Sequence, residues 1–160
     1  MEPSRSQDSF SPLVADILRR SGWFEGRDVS RSLSPPPRFA LFPKAEEVLK
    51  EFGGLRFGTC GPGVDFAASD LVIDPGLAIH LKEELKDYER AAGSRLYPLG
   101  EVHRGYGYLV IDELGRTYLL SDELVPFAAS FSRTLEMLLL GKNASPEPCP
   151  DCHWVRLLLD

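Results

Sequence analysis

Cysteine and histidine side chains gather in one short stretch near the end of the chain, CPDCH. Cys149, Cys152 and His153 have the spacing of a covalent haem attachment site, and they could also offer three ligands to a zinc ion. A structural zinc site uses four ligands, and haem attachment requires an export signal that the first residues do not resemble. We therefore expect a surface tail with two incidental cysteines, with zinc or thiol chemistry as the alternative.

Other residues suited to catalysis are sparse. The chain has three histidines, and the two outside CPDCH are His80 and His103. No serine or cysteine lies in a recognised nucleophile motif, although a catalytic triad can assemble from any order along the chain. Cys60 stands alone and is expected to be a packing residue or an exposed thiol. The sequence thus predicts neither an enzyme nor a bound cofactor, and an unrecognised hydrolase is the remaining catalytic alternative.

Acidic and aromatic residues concentrate between positions 97 and 122. The carboxylates could form a patch for a basic partner, or they could hold turns through their own backbone, and both interpretations stay open. Tyrosines are the side chains that most often anchor protein interfaces. The candidate partner-binding residues are Glu101, Asp112, Glu113, Tyr106 and Tyr108. Trp23, Phe24 and Tyr97 are further aromatic candidates, and Trp23 is expected to pack in the core.

Composition favours a protein that binds other proteins. The chain has 160 residues, enough for one domain with a real core, and a formal net charge of −6. An acidic surface repels phosphate backbones and attracts basic proteins, so direct nucleic-acid binding is not expected. No apolar run is long enough to span a bilayer, and no secretory signal is visible, which favours a cytoplasmic location without membrane contact. Oligomeric state is left open.

Helix signals recur four times along the chain. Each predicted helix combines an apolar stripe with a Ser, Asp or Pro start and a Gly stop. The predicted helices cover about 12–21, 43–52, 75–92 and 126–140.

Extended segments lie between these helices, and they predict an α+β fold. Segments 55–64 and 66–73 are the first two, and 96–102 precedes a hairpin over 106–120. Gly115 suits the hairpin loop position that needs positive φ. Both faces of the hairpin are apolar, so we expect it at the centre of the sheet with cover on each side.

These motifs, in this order, resemble the third family of SUKH immunity proteins. The resemblance covers about residues 13–142, and EFGGL and LYPLGE before an IDxxGRxY-like hairpin carry most of its specificity. The segments involved are Gly22-Trp23 with Arg27, PKAEEVLKEFGGL (43–55), Asp74-Pro75, RLYPLGE (95–101), LVIDELGRTYLL (109–120) and FAASFSRTLEMLLLG (127–141).

The resemblance implies a fold and a function. The fold is a central, mostly antiparallel sheet flanked by about four helices. Members of the family resemble antidotes encoded beside bacterial polymorphic toxins, often nucleases or nucleic-acid deaminases, and no catalytic residues are ascribed to them. We therefore expect a cognate, basic toxin domain as partner. A regulatory interaction module of the same superfamily, acting without a toxin, is the alternative.

The resemblance also implies domain limits and structural residues. Together with the polar first residues and the Pro-rich end of the chain, it predicts a flexible N-terminus over 1–10, an immunity domain over 11–142 and a Pro- and Cys-containing tail over 143–160. The motif positions expected to be structural are Trp23, Arg27, Gly53, Gly54, Asp74, Pro75, Gly100, Gly115 and Arg116.

Overall fold

The computed structural model describes residues 10–37 and 39–143. These residues form four α-helices and a six-stranded sheet, so the predicted α+β fold is confirmed. The N-terminus predicted to be flexible, apart from Phe10, lies outside the described residues. So does the tail from residue 144 onwards, with Cys149, Cys152 and His153.

The six strands lie side by side in chain order, and every neighbouring pair is antiparallel. Short connections join most of them, as is usual for a meander. A register shift between Pro98 and Gly100 marks a bulge in the third strand. The strands are β1 (Arg56–Phe57), β2 (Leu71–Ile73), β3 (Leu96–Val102), β4 (Gly107–Asp112), β5 (Thr117–Leu120) and β6 (Leu124–Ala128).

The first two helices begin and end where the sequence predicted. The Ser11 side chain accepts a hydrogen bond from the Val14 N–H and caps α1. Pro43 occupies the first turn of α2, and Gly53 ends it. The helices are α1 (Pro12–Arg20), α2 (Pro43–Phe52), α3 (Lys82–Ala92) and α4 (Phe131–Leu140).

Each face of the sheet is covered by helices. Helices α1, α2 and α4 pack on one face, here called the first face, and enclose a core that includes Leu49, Leu109 and Leu135. A 3₁₀ segment (Pro75–Leu81) and α3 pack on the second face, against Val110 and Tyr118 among others. The expectation that the β4–β5 hairpin is central and covered on both sides is confirmed.

The prediction for the last helix was wrong at its start. Residues 126–128 belong to β6, and α4 begins only at Phe131, with Ser130 as its cap. The helical spacing of Phe127, Phe131 and Leu135 arises because a strand and a helix contribute to the same core. A proline is tolerated at position 126 because β6 is an edge strand.

The third helix also differs from its prediction in the first two turns. Asp74 caps the segment as expected, since its carboxylate accepts the Gly76 N–H at 2.9 Å. The turns that follow are 3₁₀ over Pro75–Leu81, and α-helix begins at Lys82. The tighter winding still buries Ala78 and Leu81 against the second face.

Candidate functional site

The five candidate partner-binding residues lie at opposite ends of β4. Glu101 and Tyr108 face each other across β3 and β4, and Tyr106 precedes β4 at the same end. Asp112 is the last residue of β4, and Glu113 follows it in the turn to β5. Tyr108 and Asp112 are four residue steps apart along the strand, a distance of about 13 Å. The candidates therefore form two groups, one at each end of the sheet.

Asp112 is not available to a partner, which corrects its prediction as a binding residue. Its side chain is 0% exposed. One carboxylate oxygen accepts the Leu114 and Arg116 N–H groups, each at 2.9 Å. The other accepts Arg116 Nε at 2.6 Å and the Tyr118 hydroxyl at 2.9 Å. Asp112 is therefore the organiser of the β4–β5 turn, which is the alternative that the sequence left open.

Glu113 remains exposed but is engaged within the chain. It forms an ion pair with Arg95, and its N–H donates to Ser94 Oγ at 3.2 Å. An exposed pair of this kind contributes about 0–1 kcal/mol to stability. Glu113 thus lies at the opposite end of β4 from Glu101, and Arg95 partly neutralises its charge.

At the other end of β4, the β3–β4 turn has an unusual backbone. His103 and Arg104 have φ values of 51° and 55°, and Gly105 follows at 88°. Left-handed conformations are unfavourable for residues with a Cβ, so they persist only where other contacts impose them. Here the Ser69 hydroxyl accepts the His103 N–H, and Asp70 Oδ1 accepts the Arg104 N–H, both at 2.9 Å.

The same turn displays its side chains to solvent. His103 and Arg104 are exposed, and Tyr106 is 86% exposed. No side-chain hydrogen bond of Tyr106 is present among the described residues. The loop that precedes β2 therefore holds the backbone of the turn, and the Tyr106 side chain is exposed to solvent.

Tyr108 lies beside this turn at the margin of the second face. Its hydroxyl is 3.0 Å from His80 Nε2. Partial burial, followed by the charges of Glu101 and Glu84, raises the pKa of Tyr108. The two carboxylates therefore make the surroundings of this hydroxyl electronegative.

The remaining aromatic candidates divide between core and surface. Trp23 is 9% exposed and stacks on Phe52, while its Nε1 donates to Glu51 at 3.1 Å. Tyr97 is 0% exposed, and burial raises the pKa of its hydroxyl to about 12. Phe24 lies four residues after the end of α1, and it is 59% exposed. The expectation that Trp23 packs in the core is confirmed, and Tyr97 is excluded as an anchor.

The described part of the chain shows neither a metal-binding cluster nor a membrane-spanning helix. Residues 10–37 and 39–143 contain no group of three or more His, Cys, Asp or Glu side chains placed to hold a metal ion. No helix within the same residues has the length and apolar character to cross a bilayer.

Comparison with known proteins identifies the family. Residues 10–141 match the family model described as SUKH-3 immunity protein. The chain belongs to the SUKH-3 immunity protein family. No curated protein and no solved structure gave a significant match. Family membership confirms the resemblance seen in the sequence, and it associates the chain with immunity to a toxin.

Three of the positions on which the sequence resemblance was based meet at the end of α2. The Arg27 guanidinium donates to the Glu51 carbonyl at 2.5 Å and to the Gly53 carbonyl at 2.9 Å, which satisfies groups left free where the helix ends. A Cβ at Gly53 would overlap the carbonyl oxygen of Leu49, and Gly54 has a φ of 80°. This motif therefore fixes the chain direction from α2 into β1.

The other motif positions hold the sheet together. Gly100 lies so close to β2 that a Cβ would overlap the carbonyl oxygen of Val72. Gly115 takes a φ of 89° in the β4–β5 turn, as the sequence predicted, and Arg116 pairs with Asp112. Asp74 and Pro75 begin the 3₁₀ segment. Gly100, Gly115 and Arg116 thus contact the sheet and its turn, while Asp74 caps the 3₁₀ segment from an exposed position.

Sequence reasoning missed the support of the β3–β4 turn. Ser69 and Asp70 precede that turn by 34 residues, and neither residue belongs to a recognisable motif. The only local signal was the Gly105-Tyr106-Gly107 stretch, where glycines suggest a bulge or a close approach of chains. That signal located the turn but did not reveal what holds it.

Proposed function

We propose that this chain is a cytoplasmic immunity protein that binds a cognate bacterial polymorphic toxin and neutralises it stoichiometrically. Family membership is the observation that carries the proposal. The protein acts by occupying its partner and converts no substrate. The exposed Tyr106 and the half-buried Glu101 at one end of the sheet support contact with a protein partner.

The proposed partner is a basic toxin domain that acts on nucleic acid, a nuclease or a nucleic-acid deaminase. Such enzymes need a positive groove for their substrate. The net charge of −6 on this chain attracts that groove and repels nucleic acid itself. Long-range attraction mainly raises the rate of association, and well-packed anchors then set the rate of dissociation.

Co-expression tests the proposal most directly. The toxin domain encoded by the neighbouring gene is expressed in bacteria with and without this chain, and we expect growth to be restored only with it. With purified proteins, inhibition should be complete at a molar ratio near equality, as binding without turnover requires. Growth that stays arrested, together with no measurable binding, would show that the chain serves another role, such as a regulatory interaction module.

The electrostatic part of the proposal has its own test. Association rates are measured at low and at high salt, and we expect the rate to fall as salt rises because exposed charges are screened. A rate that does not change with salt would remove the charge argument and leave stoichiometric inhibition intact.

A further inference from the structure

The second face of the sheet is only partly covered. A row of cross-strand neighbours crosses all six strands on this face, and its members on β5 and β6 are buried beneath the 3₁₀ segment and α3. The members on β1 to β4 are exposed or half-buried. In order from β1 to β6 the row is Arg56, Val72, Glu101, Tyr108, Leu120 and Leu124.

Uncovered sheet of this kind is suited to a partner because its shape is fixed before binding. Val72, Glu101 and Tyr108 stand on hydrogen-bonded strands, which lose little freedom when a partner docks. The β3–β4 turn adjoins them and is held by Ser69 and Asp70 in its left-handed conformation. The strands and the held turn therefore fix the backbone from which the Tyr106 side chain projects.

The charges around this area indicate a basic occupant. Glu101 lies directly opposite Tyr108 across β3 and β4, and the charges of Glu101 and Glu84 both raise the pKa of the Tyr108 hydroxyl. Neither carboxylate forms an ion pair among the described residues. The cations at the margins, Arg56 and Arg104, are exposed. Lysine or arginine side chains of a partner can pair with the two free carboxylates and lie over the face of an exposed tyrosine ring.

We infer that the docking face, defined as Val72, Glu101, Tyr106 and Tyr108 with Glu84 at its edge, is the surface on which the toxin domain binds through a lysine- or arginine-rich patch. This inference rests on the proposed immunity function. A second copy of the chain is a poor occupant because two acidic chains repel each other. Asp112 and Glu113, at the far end of β4, lie outside the docking face.

Tyr106 is the residue to test first. Because its side chain is 86% exposed, Tyr106→Ala leaves the fold intact, which a thermal melt verifies. We expect the dissociation constant for the inactivated toxin domain of the neighbouring gene to rise at least about 30-fold, as for a central aromatic anchor. Phe24→Ala is the matched control, since Phe24 is an exposed aromatic residue beside α1. It should change the constant less than about twofold.

Glu101→Gln and Glu84→Gln test the charge of the occupant. At low salt we expect each single variant to associate more slowly than the unaltered protein, and the double variant to associate on the order of 3- to 10-fold more slowly. The difference in association rate should shrink as salt rises, because the exposed charges are then screened. Glu46→Gln on α2, which packs on the first face, is the matched control and should leave the association rate within about twofold.

Failure of the inference differs from failure of the proposed function. If the unaltered chain binds the toxin domain and Tyr106→Ala, Glu101→Gln and Glu84→Gln bind within twofold of it, the docking face is wrong and the immunity function stands. If the unaltered chain neither binds nor rescues growth, the proposed function itself falls. If the unaltered chain self-associates without toxin and Tyr106→Ala does not, the docking face binds a second copy of the chain. That result would overturn the inference.

Discussion

The two turns that flank β4 both contain left-handed backbone, but they stabilise it differently. The β4–β5 turn places a glycine, Gly115, at its left-handed position and fills its interior with the buried Asp112 carboxylate. The β3–β4 turn places His103 and Arg104 in left-handed conformations and depends on residues outside the turn to hold them. The polar contacts of the β4–β5 turn are buried inside the fold. The side chains of the β3–β4 turn are exposed to solvent.

This difference separates a turn that determines the fold from a turn suited to recognition. In the β4–β5 turn, the side chains of Asp112 and Arg116 are 0% and 17% exposed, so little of the ion pair is left for a partner. In the β3–β4 turn the strain serves no packing purpose that the described contacts reveal, and Tyr106 stays exposed. Strained non-glycine backbone is often found at functional sites, and here it adjoins the docking face.

The largest effect should come from Asp112→Ala. The change removes one acceptor from the partly buried Arg116 guanidinium, from the buried Tyr118 hydroxyl and from two N–H groups. Breaking a buried pair of this kind costs about 3–5 kcal/mol of unfolding free energy. Urea denaturation measures the loss. Glu113→Ala, one residue later, should cost less than about 1 kcal/mol, and equal losses would contradict the organiser role of Asp112.

A smaller loss is expected when the glycine of the same turn gains a side chain. Gly115 has a φ of 89°, so Gly115→Ala should lower the unfolding free energy by about 1–2 kcal/mol. Gly115→Asn should lower it less, because asparagine tolerates left-handed backbone. Thermal unfolding of both variants compares them. Equal stability of Gly115→Ala and the unaltered protein would show that the backbone conformation is not required there.

The sequence predicted the β4–β5 turn well because all its determinants are local. Asp112, Gly115 and Arg116 are close neighbours in the chain, and the alternating apolar residues on either side indicate strands. The limits of α2 were predicted for the same reason, since Pro43 and Gly53 mark them directly. Local signals of this kind can be interpreted without knowledge of the rest of the fold.

Features that depend on distant residues were not predictable. Neither His103 nor Arg104 favours positive φ, and the hydrogen-bond acceptors that hold their N–H groups are Ser69 and Asp70, 34 residues away. The sixth strand was missed because Phe127 and the first residues of α4 share a core face at helical spacing. The separation of Glu101 from Asp112 was likewise invisible until the strands were placed. The candidate site could therefore be named in part but not assembled from sequence.

Loss of the Asp70 contact that holds the β3–β4 turn should lower the unfolding free energy modestly, and the contact should depend on pH. Burial alone would raise the pKa of Asp70, but hydrogen bonds from the Arg104 N–H, Cys60 and Ser69 hold it below its usual range. A lowered pKa stabilises the fold above pH about 3.9, and that contribution is lost as pH falls through the folded value. We expect the Arg104 amide resonance to titrate below pH about 3.9, and Asp70→Ala to abolish this titration and cost about 1 kcal/mol.

A titration unchanged in Asp70→Ala would show that another group moves the Arg104 amide. Asp65→Ala is the control. Asp65 lies in the same connection between β1 and β2 as Asp70, but its carboxylate accepts the Asn143 N–H at 2.7 Å. It should leave the Arg104 resonance unchanged.

The smallest effect should have the opposite sign. Arg104→Gly removes the cost of a left-handed residue with a Cβ but gives the unfolded chain more freedom, so we expect a net gain of about 0.5–1 kcal/mol in unfolding free energy. The same exchange in the other turn, Arg116→Gly, should cost about 2 kcal/mol or more because it leaves the buried Asp112 carboxylate unpaired. Urea denaturation of the two variants side by side gives both signs. If Arg104→Gly also lowers stability, the Arg104 side chain contributes to the fold, and the contrast between a folding turn and a recognition turn is lost.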